Sequence, residues 1–182
     1  GEEPSLKYLR RMMSFLAVRL IVFTVCASVV VCAFYMAFEI GNAYVLISEG
    51  MEKRVSVALT RENATDLNGY FTTGFLEGDP VLSAAFSEDS PYLAYTITSF
   101  DYDVEISDLR AWPWSDEIQC TVTEHVKGIV GKVKPDYVVS TGSKPATWSD
   151  GRYRLWLKKQ ANGQWKIATI KQDPTYHDTK DE

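Results

Sequence analysis

The apolar positions of this chain form one continuous block, followed by shorter segments in which apolar and polar residues alternate. Leu20–Phe38 is a run of 19 residues without a charged side chain. A helix of about 20 apolar residues matches the hydrocarbon core of a bilayer, which is roughly 30 Å thick. The pattern predicts a transmembrane helix over residues 14–39 of a single-pass membrane protein.

Two other kinds of segment contain similar apolar runs. A buried core helix usually has a polar stripe, but the polar residues here are Thr24, Ser28 and two cysteines, none of them charged. A cleaved signal peptide has a shorter apolar core, about 7–15 residues, and a cleavage site of small residues. Because bulky residues such as Phe34 and Tyr35 close this run, we expect the anchor to remain attached.

The flanking charges predict the orientation of the chain. The basic residues before the apolar run Leu20–Phe38 are Lys7, Arg10, Arg11 and Arg19. The first charges after the run are acidic, beginning with Glu39. Since the basic flank of a span stays in the cytoplasm, residues 1–13 are predicted to be a cytoplasmic basic tip. The part beyond the span is expected on the extracytoplasmic side of the cell membrane.

Helical patterns follow the span. Residues 40–59 contain no proline and predict a stalk helix. Apolar residues at helical spacing predict a second helix over Thr60–Glu77. Asp79 has the character of an N-cap and is followed by proline, which is favoured at the first helical position. A short helix is therefore predicted over Pro80–Phe86.

The second half of the chain has a period of two. Phe100–Ser107 and Glu117–Gly128 each alternate apolar and polar residues, as half-buried strands do. Arg152–Lys159 and Trp165–Lys171 alternate in the same way and are joined through Asn162-Gly163, a pair that favours a tight hairpin turn. The pattern predicts about four antiparallel strands.

The remaining segments are polar. Residues 129–149 are predicted to be a long, mobile connection with a short extended piece at Tyr137–Val139. Residues 172–182 are predicted to be a polar tail. Helices followed by a strand meander predict an α+β domain over residues 60–171, with the helices packed on one face of a curved sheet.

Four segments of this predicted domain resemble a known fold. They are Leu67-x-x-Tyr70-Phe71, Phe100-Asp101-Tyr102-Asp103-Val104, and the pair Gly151-Arg152-Tyr153-Arg154-Leu155 with Gln164-Trp165-Lys166-Ile167. In residue type and order they resemble the nuclear-transport-factor-two-like fold, a cystatin-like, cone-shaped α+β domain. The resemblance covers Thr60–Lys171. It implies a sheet that curls around a long N-terminal helix and leaves a cone-shaped interior.

The charge of the chain and its few cysteines and histidines exclude several kinds of binding site. Beyond Glu39 the chain has 15 basic and 21 acidic residues, a net charge of −6. Nucleic-acid binding is excluded because it requires a net basic surface. Cys120 is the one cysteine outside the span, so no disulfide is expected, which suits a Gram-positive bacterial surface better than a eukaryotic secreted protein. The two histidines, His125 and His177, are not at ligand spacing, and neither a metal site nor a cofactor is predicted.

Enzymes of the resembled fold place an acid, a tyrosine or a histidine inside the cone. Asp101 and Asp103 share the polar face of their strand, and His125 lies on the polar face of the next, so no catalytic residue is assigned. Glu124 instead falls on an apolar face, where a buried carboxylate could line a pocket. We expect it to reach solvent at the end of its strand. Tyr70, Tyr102 and Glu124 are the candidates for a ligand pocket.

Trp112-Pro113-Trp114 places two large aromatic residues at a strand end. Such residues bind partner proteins, rest at a membrane interface or close a hydrophobic interior. Trp112 and Trp114 are the candidates for partner binding. We expect Trp112 to plug the cone and Trp114 to be exposed.

A basic tip, one span and an outer cone-shaped domain resemble the scaffold components of bacterial type IV secretion and conjugation systems. The resemblance implies a non-enzymatic assembly protein whose partners are the lipid bilayer, other envelope proteins and, as an open alternative, further copies of itself. A second hypothesis is a tethered small-molecule-binding domain or isomerase-like enzyme that uses the cone pocket. The second hypothesis requires an open cavity with converging polar groups, whereas a scaffold can fill its interior with aromatic side chains.

Overall fold

The computed structural model describes residues 4–138 and 142–176. The chain divides into two compact units, Gly1–Glu39 and Ile40–Glu182. One helix, α1, spans Pro4–Thr60 and contributes to both units.

The described part of the first unit is the beginning of α1, which contains the apolar run Leu20–Phe38. Its large side chains, including Phe23 and Phe34, are exposed rather than packed inside the protein. The hydroxyls of Thr24 and Ser28 donate to the backbone carbonyl oxygens of Leu20 and Thr24, at 2.9 and 2.8 Å. A helix in lipid has to satisfy its polar groups internally in this way. Its length and apolar character are compatible with a membrane anchor.

The rest of α1 is the central helix of the second unit. Ala43, Ile47, Met51, Val55 and Leu59 recur every four residues and are fully buried. This spacing places them on one face of a helix. The segment 40–59, which the sequence assigned to a stalk, therefore belongs to the core of the folded unit.

The single helix predicted over Thr60–Glu77 is wrong. Arg61 has φ +57°, outside the helical region, and ends α1. Two short helical pieces follow, a 3₁₀ helix over Ala64–Gly69 and α2 over Thr73–Gly78. Between them Phe71 forms a parallel bridge with Ile167 of the last strand. Sheet pairing thus interrupts what propensity alone would make one helix.

Helix α3, Pro80–Phe86, confirms the prediction. Asp79 is its N-cap, and the carboxylate accepts a hydrogen bond from the backbone N–H of Val81 at 3.0 Å. Pro80 occupies the first turn, where its missing N–H leaves no hydrogen bond unmade.

Four antiparallel strands form one open sheet in the order β1-β2-β3-β4. Their bounds are Tyr95–Arg110, Glu117–Val133, Gly151–Lys159 and Trp165–Gln172. The α+β class and the four strands are confirmed. The β3–β4 turn contains Gly163 at φ +82°, a left-handed conformation as predicted, whereas Asn162 does not have the positive φ that the Asn-Gly pair predicted.

The connection predicted over 129–149 is shorter than expected, because β2 continues to Val133 and pairs with the beginning of β1. A 3₁₀ turn at Pro135–Tyr137 replaces the predicted extended piece, whose last residue, Val139, lies outside the described residues. The polar tail begins inside β4, which ends at Gln172. Residues 177–182 of that tail also lie outside the described part.

The two faces of the sheet differ sharply. The inner face, packed on α1, consists of buried apolar side chains: Ile118, Cys120, Val122, Leu155, Leu157 and Ile167. Full burial of each aliphatic side chain of this size contributes about 1.5–3 kcal/mol. The opposite side, here called the outer face, exposes an acidic row on β1 and a basic row on β3. The acidic row is Asp101, Asp103 and Glu105, and the basic row is Arg152, Arg154 and Lys158.

Candidate functional site

A buried ion pair joins α1 to the start of α3. Arg54 and Asp79 are 3% and 1% exposed. The Arg54 Nε and Nη2 atoms donate to the two carboxylate oxygens of Asp79 at 2.7 and 2.8 Å. This two-point geometry is the strongest that an arginine and a carboxylate adopt. The same carboxylate also caps α3, so the pair holds both helices together.

Glu124 lies close in the interior and is 0% exposed. Its Oε1 accepts a hydrogen bond from Trp148 Nε1 at 3.0 Å, and its Oε2 accepts one from the Tyr102 hydroxyl at 3.4 Å. The expectation that Glu124 reaches solvent at a strand end is wrong. The strand continues to Val133, and Trp148 closes over the carboxylate.

We call Arg54, Asp79, Tyr102, Glu124 and Trp148 the buried polar cluster. Burial raises the pKa of Glu124, and the charge of Arg54 and the two hydrogen bonds oppose that rise. Burial and then the Glu124 charge also raise the pKa of Tyr102. The pKa of Arg54 is raised although burial lowers it, because the hydrogen bond and charge of Asp79 favour the cation.

Arg54 was not identified from the sequence, although its position gave a signal. It lies three residues after Met51 and seven after Ile47, both fully buried, and therefore on the core face of α1. A charged residue on such a face indicates a buried ion pair. Trp148 gave no comparable signal, because it lies in the irregular segment between β2 and β3.

The three pocket candidates do not form one site. The structure brings Tyr102 and Glu124 together, whereas the Tyr70 hydroxyl donates to Glu49 Oε2 at 3.3 Å, on the surface. Tyr70 lines an open groove of about 450 Å³ beside α1. Tyr102 borders a separate groove of about 300 Å³ that also contacts His125. Glu124 lines neither groove.

No catalytic role was predicted for three polar residues on the strands: His125, Asp101 and Asp103. His125 has a structural partner, and the two aspartates are exposed. His125 Nδ1 lies 2.7 Å from Asp150 Oδ2, and Asp150 Oδ1 accepts a hydrogen bond from the Val126 N–H at 3.0 Å. Asp101 and Asp103 are exposed on the outer face. In the described part of the chain, no group of three or more histidine, cysteine, aspartate or glutamate side chains could hold a metal ion.

The two tryptophan candidates lie together in the turn between β1 and β2. Trp112 and Trp114 are 51% and 78% exposed, and their rings stack with centroids 5.4 Å apart. The expectation that Trp112 plugs the interior is wrong, whereas Trp114 is exposed as expected. Ala111, the first residue of this turn, is buried in the core instead. We call 111–116 the tryptophan turn.

Two grooves cross the outer face. One, of about 570 Å³, extends from the tryptophan turn to Arg154, and the other, of about 550 Å³, is lined by Arg152, Trp156 and Lys171. Across the sheet from the basic row, the acidic row of β1 gives the outer face a positive and a negative half. Such a surface is suited to a partner with the complementary charge pattern.

The chain matches no protein-family model and no curated protein.

Proposed function

We propose that this chain is a membrane-anchored, non-enzymatic assembly or scaffold protein of a bacterial cell-envelope complex. The folded unit lies outside the cytoplasm in this proposal. The observation that carries it is the filled interior: the inner face of the sheet is packed on the α1 residues Ile47 and Met51, both fully buried. A small-molecule-binding domain would instead need an open cavity with a few converging polar groups.

The wider resemblance supports the same proposal. The apolar helix, the short helices and the open four-stranded antiparallel sheet form an α+β arrangement, which is compatible with the resemblance to a nuclear-transport-factor-two-like domain on an anchor. We therefore propose scaffold components of type IV secretion and conjugation systems as the nearest functional comparison. The surface that we assign to partner proteins is the outer face, with its two charged rows and two grooves.

A second candidate function rests on the Tyr102–Glu124 pair. A buried carboxylate with a raised pKa beside a phenol is suited to proton transfer or to binding a polar ligand. It would require Trp148 to move away from Glu124. Ligand screening of the wild type and Glu124→Gln would support this function if a compound stabilised only the wild type against heat.

Extraction from the native membrane in a mild detergent tests the scaffold proposal. We expect the protein to copurify with other envelope proteins in a complex larger than a dimer. Arg154→Glu should weaken that association, because it reverses a charge in the middle of the outer face. Lys144→Glu, the matched reversal at an exposed residue off the sheet, should leave it intact. A monomer or dimer without partners, equal for all variants, would contradict the proposal.

A further inference from the structure

The direction of α1 relative to the sheet shows which end of the folded unit the chain enters. A Cβ placed on Gly50 would lie 3.3 Å from Ile167 Cδ1. Ile167 pairs with Leu157, which pairs with Ile118 near the start of β2. Gly50 is therefore level with the beginning of β2.

The later part of α1 reaches the other end of the sheet. Leu59 packs in one cluster with Val126, eight residues further along β2 than Ile118. Helix α1 and strand β2 thus run in the same general direction. The α1 residues before Gly50 must extend the opposite way, toward the tryptophan turn that precedes β2. Consistently, Ile40 packs on the same core cluster as Ala111.

Chain connectivity brings this end of the unit to the membrane. The apolar run ends at Phe38, two residues before Ile40. Two residues span about 3 Å as helix and at most about 7 Å when extended. If the span leaves the bilayer at the end of its apolar run, Ile40 lies within about 3–7 Å of the bilayer surface. The end of the folded unit that contains Ile40 is therefore held close to the membrane. This step rests on the membrane anchor of the proposed function.

The tryptophan turn has the chemistry of a membrane interface. Tryptophan concentrates at the headgroup level, where its apolar ring leaves water while the indole N–H remains hydrogen-bonded. Within the described residues, neither Trp112 nor Trp114 uses its indole N–H in a hydrogen bond. The exposed neighbours have mixed charge, with Arg110 before the turn and Asp116 within it. Indole insertion, rather than attraction to anionic lipid, should therefore drive the contact.

We propose that the tryptophan turn is a second membrane contact of this chain, which inserts Trp112 and Trp114 into the headgroup region of the leaflet on the side of the folded unit. One helix alone leaves a domain free to rotate about its anchor. A second contact removes that freedom and holds the outer face in a fixed orientation toward partners.

Fluorescence quenching by brominated lipid tests the contact. The full chain is reconstituted in vesicles of phosphatidylcholine, with or without bromine near the top of the acyl chains. The chain contains five tryptophans, so quenching of the two in the turn should remove up to about two fifths of the emission if all five emit equally. Trp112→Phe/Trp114→Phe should lose this quenching, whereas Trp156→Phe on the outer face should retain it. Near-ultraviolet circular dichroism checks that each variant is folded.

The outcomes separate this inference from the anchor itself. Equal wild-type emission in both lipids would overturn the membrane contact, even if the chain resists extraction by alkaline carbonate and so remains anchored. Release of the chain by carbonate would instead overturn the anchor and the proposed function. Equal emission combined with loss of a copurifying protein from Trp112→Phe/Trp114→Phe would assign the turn to a protein partner.

Discussion

The Arg54–Asp79 pair allows charge and helix capping to be separated by single substitutions. Asp79→Asn removes the charge but keeps a side-chain oxygen that can accept the Val81 N–H, since asparagine caps helices as well as aspartate does. Asp79→Ala removes both the charge and the cap. Arg54→Met removes the cation and leaves the carboxylates of Asp79 and Glu124 buried together.

The structure sets the order and size of the effects. Loss of one partner from a buried ion pair costs about 3–5 kcal/mol, and both partners here are almost completely buried. Asp79→Asn should lower the free energy of unfolding by about that amount. Asp79→Ala should lose about 1 kcal/mol more for the missing cap. Arg54→Met should be the least stable, because two buried carboxylates then lack a cation.

Thermal unfolding of the full chain in detergent measures these differences. In a unit of this size, 1 kcal/mol corresponds to about 2–4 °C, so Asp79→Asn should lower Tm by roughly 6–20 °C. Lys53→Met is the control, because Lys53 Nζ pairs with Asp66 Oδ2 at 3.1 Å on the surface. An exposed pair contributes about 0–1 kcal/mol. If Asp79→Asn and Lys53→Met have the same Tm, the buried pair does not stabilise the unit and the reasoning is refuted.

Three further predictions concern the interior. Burial raises the folded-state pKa of Glu124 above its ordinary 4.5, so ionisation of Glu124 opposes folding above that pH. In denaturant unfolding, the stability of the wild type relative to Glu124→Gln should therefore be greater at pH 4 than at pH 8. The same difference in stability at both pH values would contradict this prediction. Gly151→Ala should lower the free energy of unfolding by about 1–3 kcal/mol, because the new Cβ would lie 2.6 Å from the Tyr153 hydroxyl oxygen. Gly69→Ala is the control, since no heavy atom lies within 4 Å of its new Cβ. Thermal unfolding should show no such loss for this control. Burial raises the pKa of the Cys120 thiol to about 12, so a charged, water-soluble thiol reagent should modify Cys120 only after denaturation. Mass analysis that finds Cys120 rapidly labelled in the folded protein would contradict this prediction.

Local chemistry accounts for the elements that the sequence predicted well. The β3–β4 hairpin depends on Asn162-Gly163, and α3 depends on the Asp79 cap followed by Pro80, so neighbouring residues are sufficient to specify each. The wrong predictions concern segments whose structure depends on tertiary contacts. Residues 60–77 do not form one helix, because Phe71 pairs with Ile167, which is almost one hundred residues away in sequence.

The candidate site was less predictable for the same reason. An acid on an apolar strand face identified Glu124, but its enclosure depends on Trp148 from an irregular segment that has no periodicity to interpret. The role of 40–59 was also ambiguous, because a stalk helix and a core helix share the same propensity. Only the sheet packed on Ile47 and Met51 distinguishes them. The exposure of Trp112 likewise follows from Ala111, the smaller residue before it, entering the core.

The buried polar cluster is easier to understand as a device for alignment than as a source of stability. Well-packed apolar residues often stabilise an interior as much as a buried ion pair does. The hydrogen bonds of the cluster, however, form together only when α1, the start of α3, β1, β2 and the segment containing Trp148 are correctly placed. A proton-transfer site would need access for a substrate, whereas an alignment device needs the exclusion of water. Glu124 is 0% exposed, which fits alignment. A single fixed packing of α1 would also suit the scaffold function that we propose, because α1 is the central helix of the folded unit.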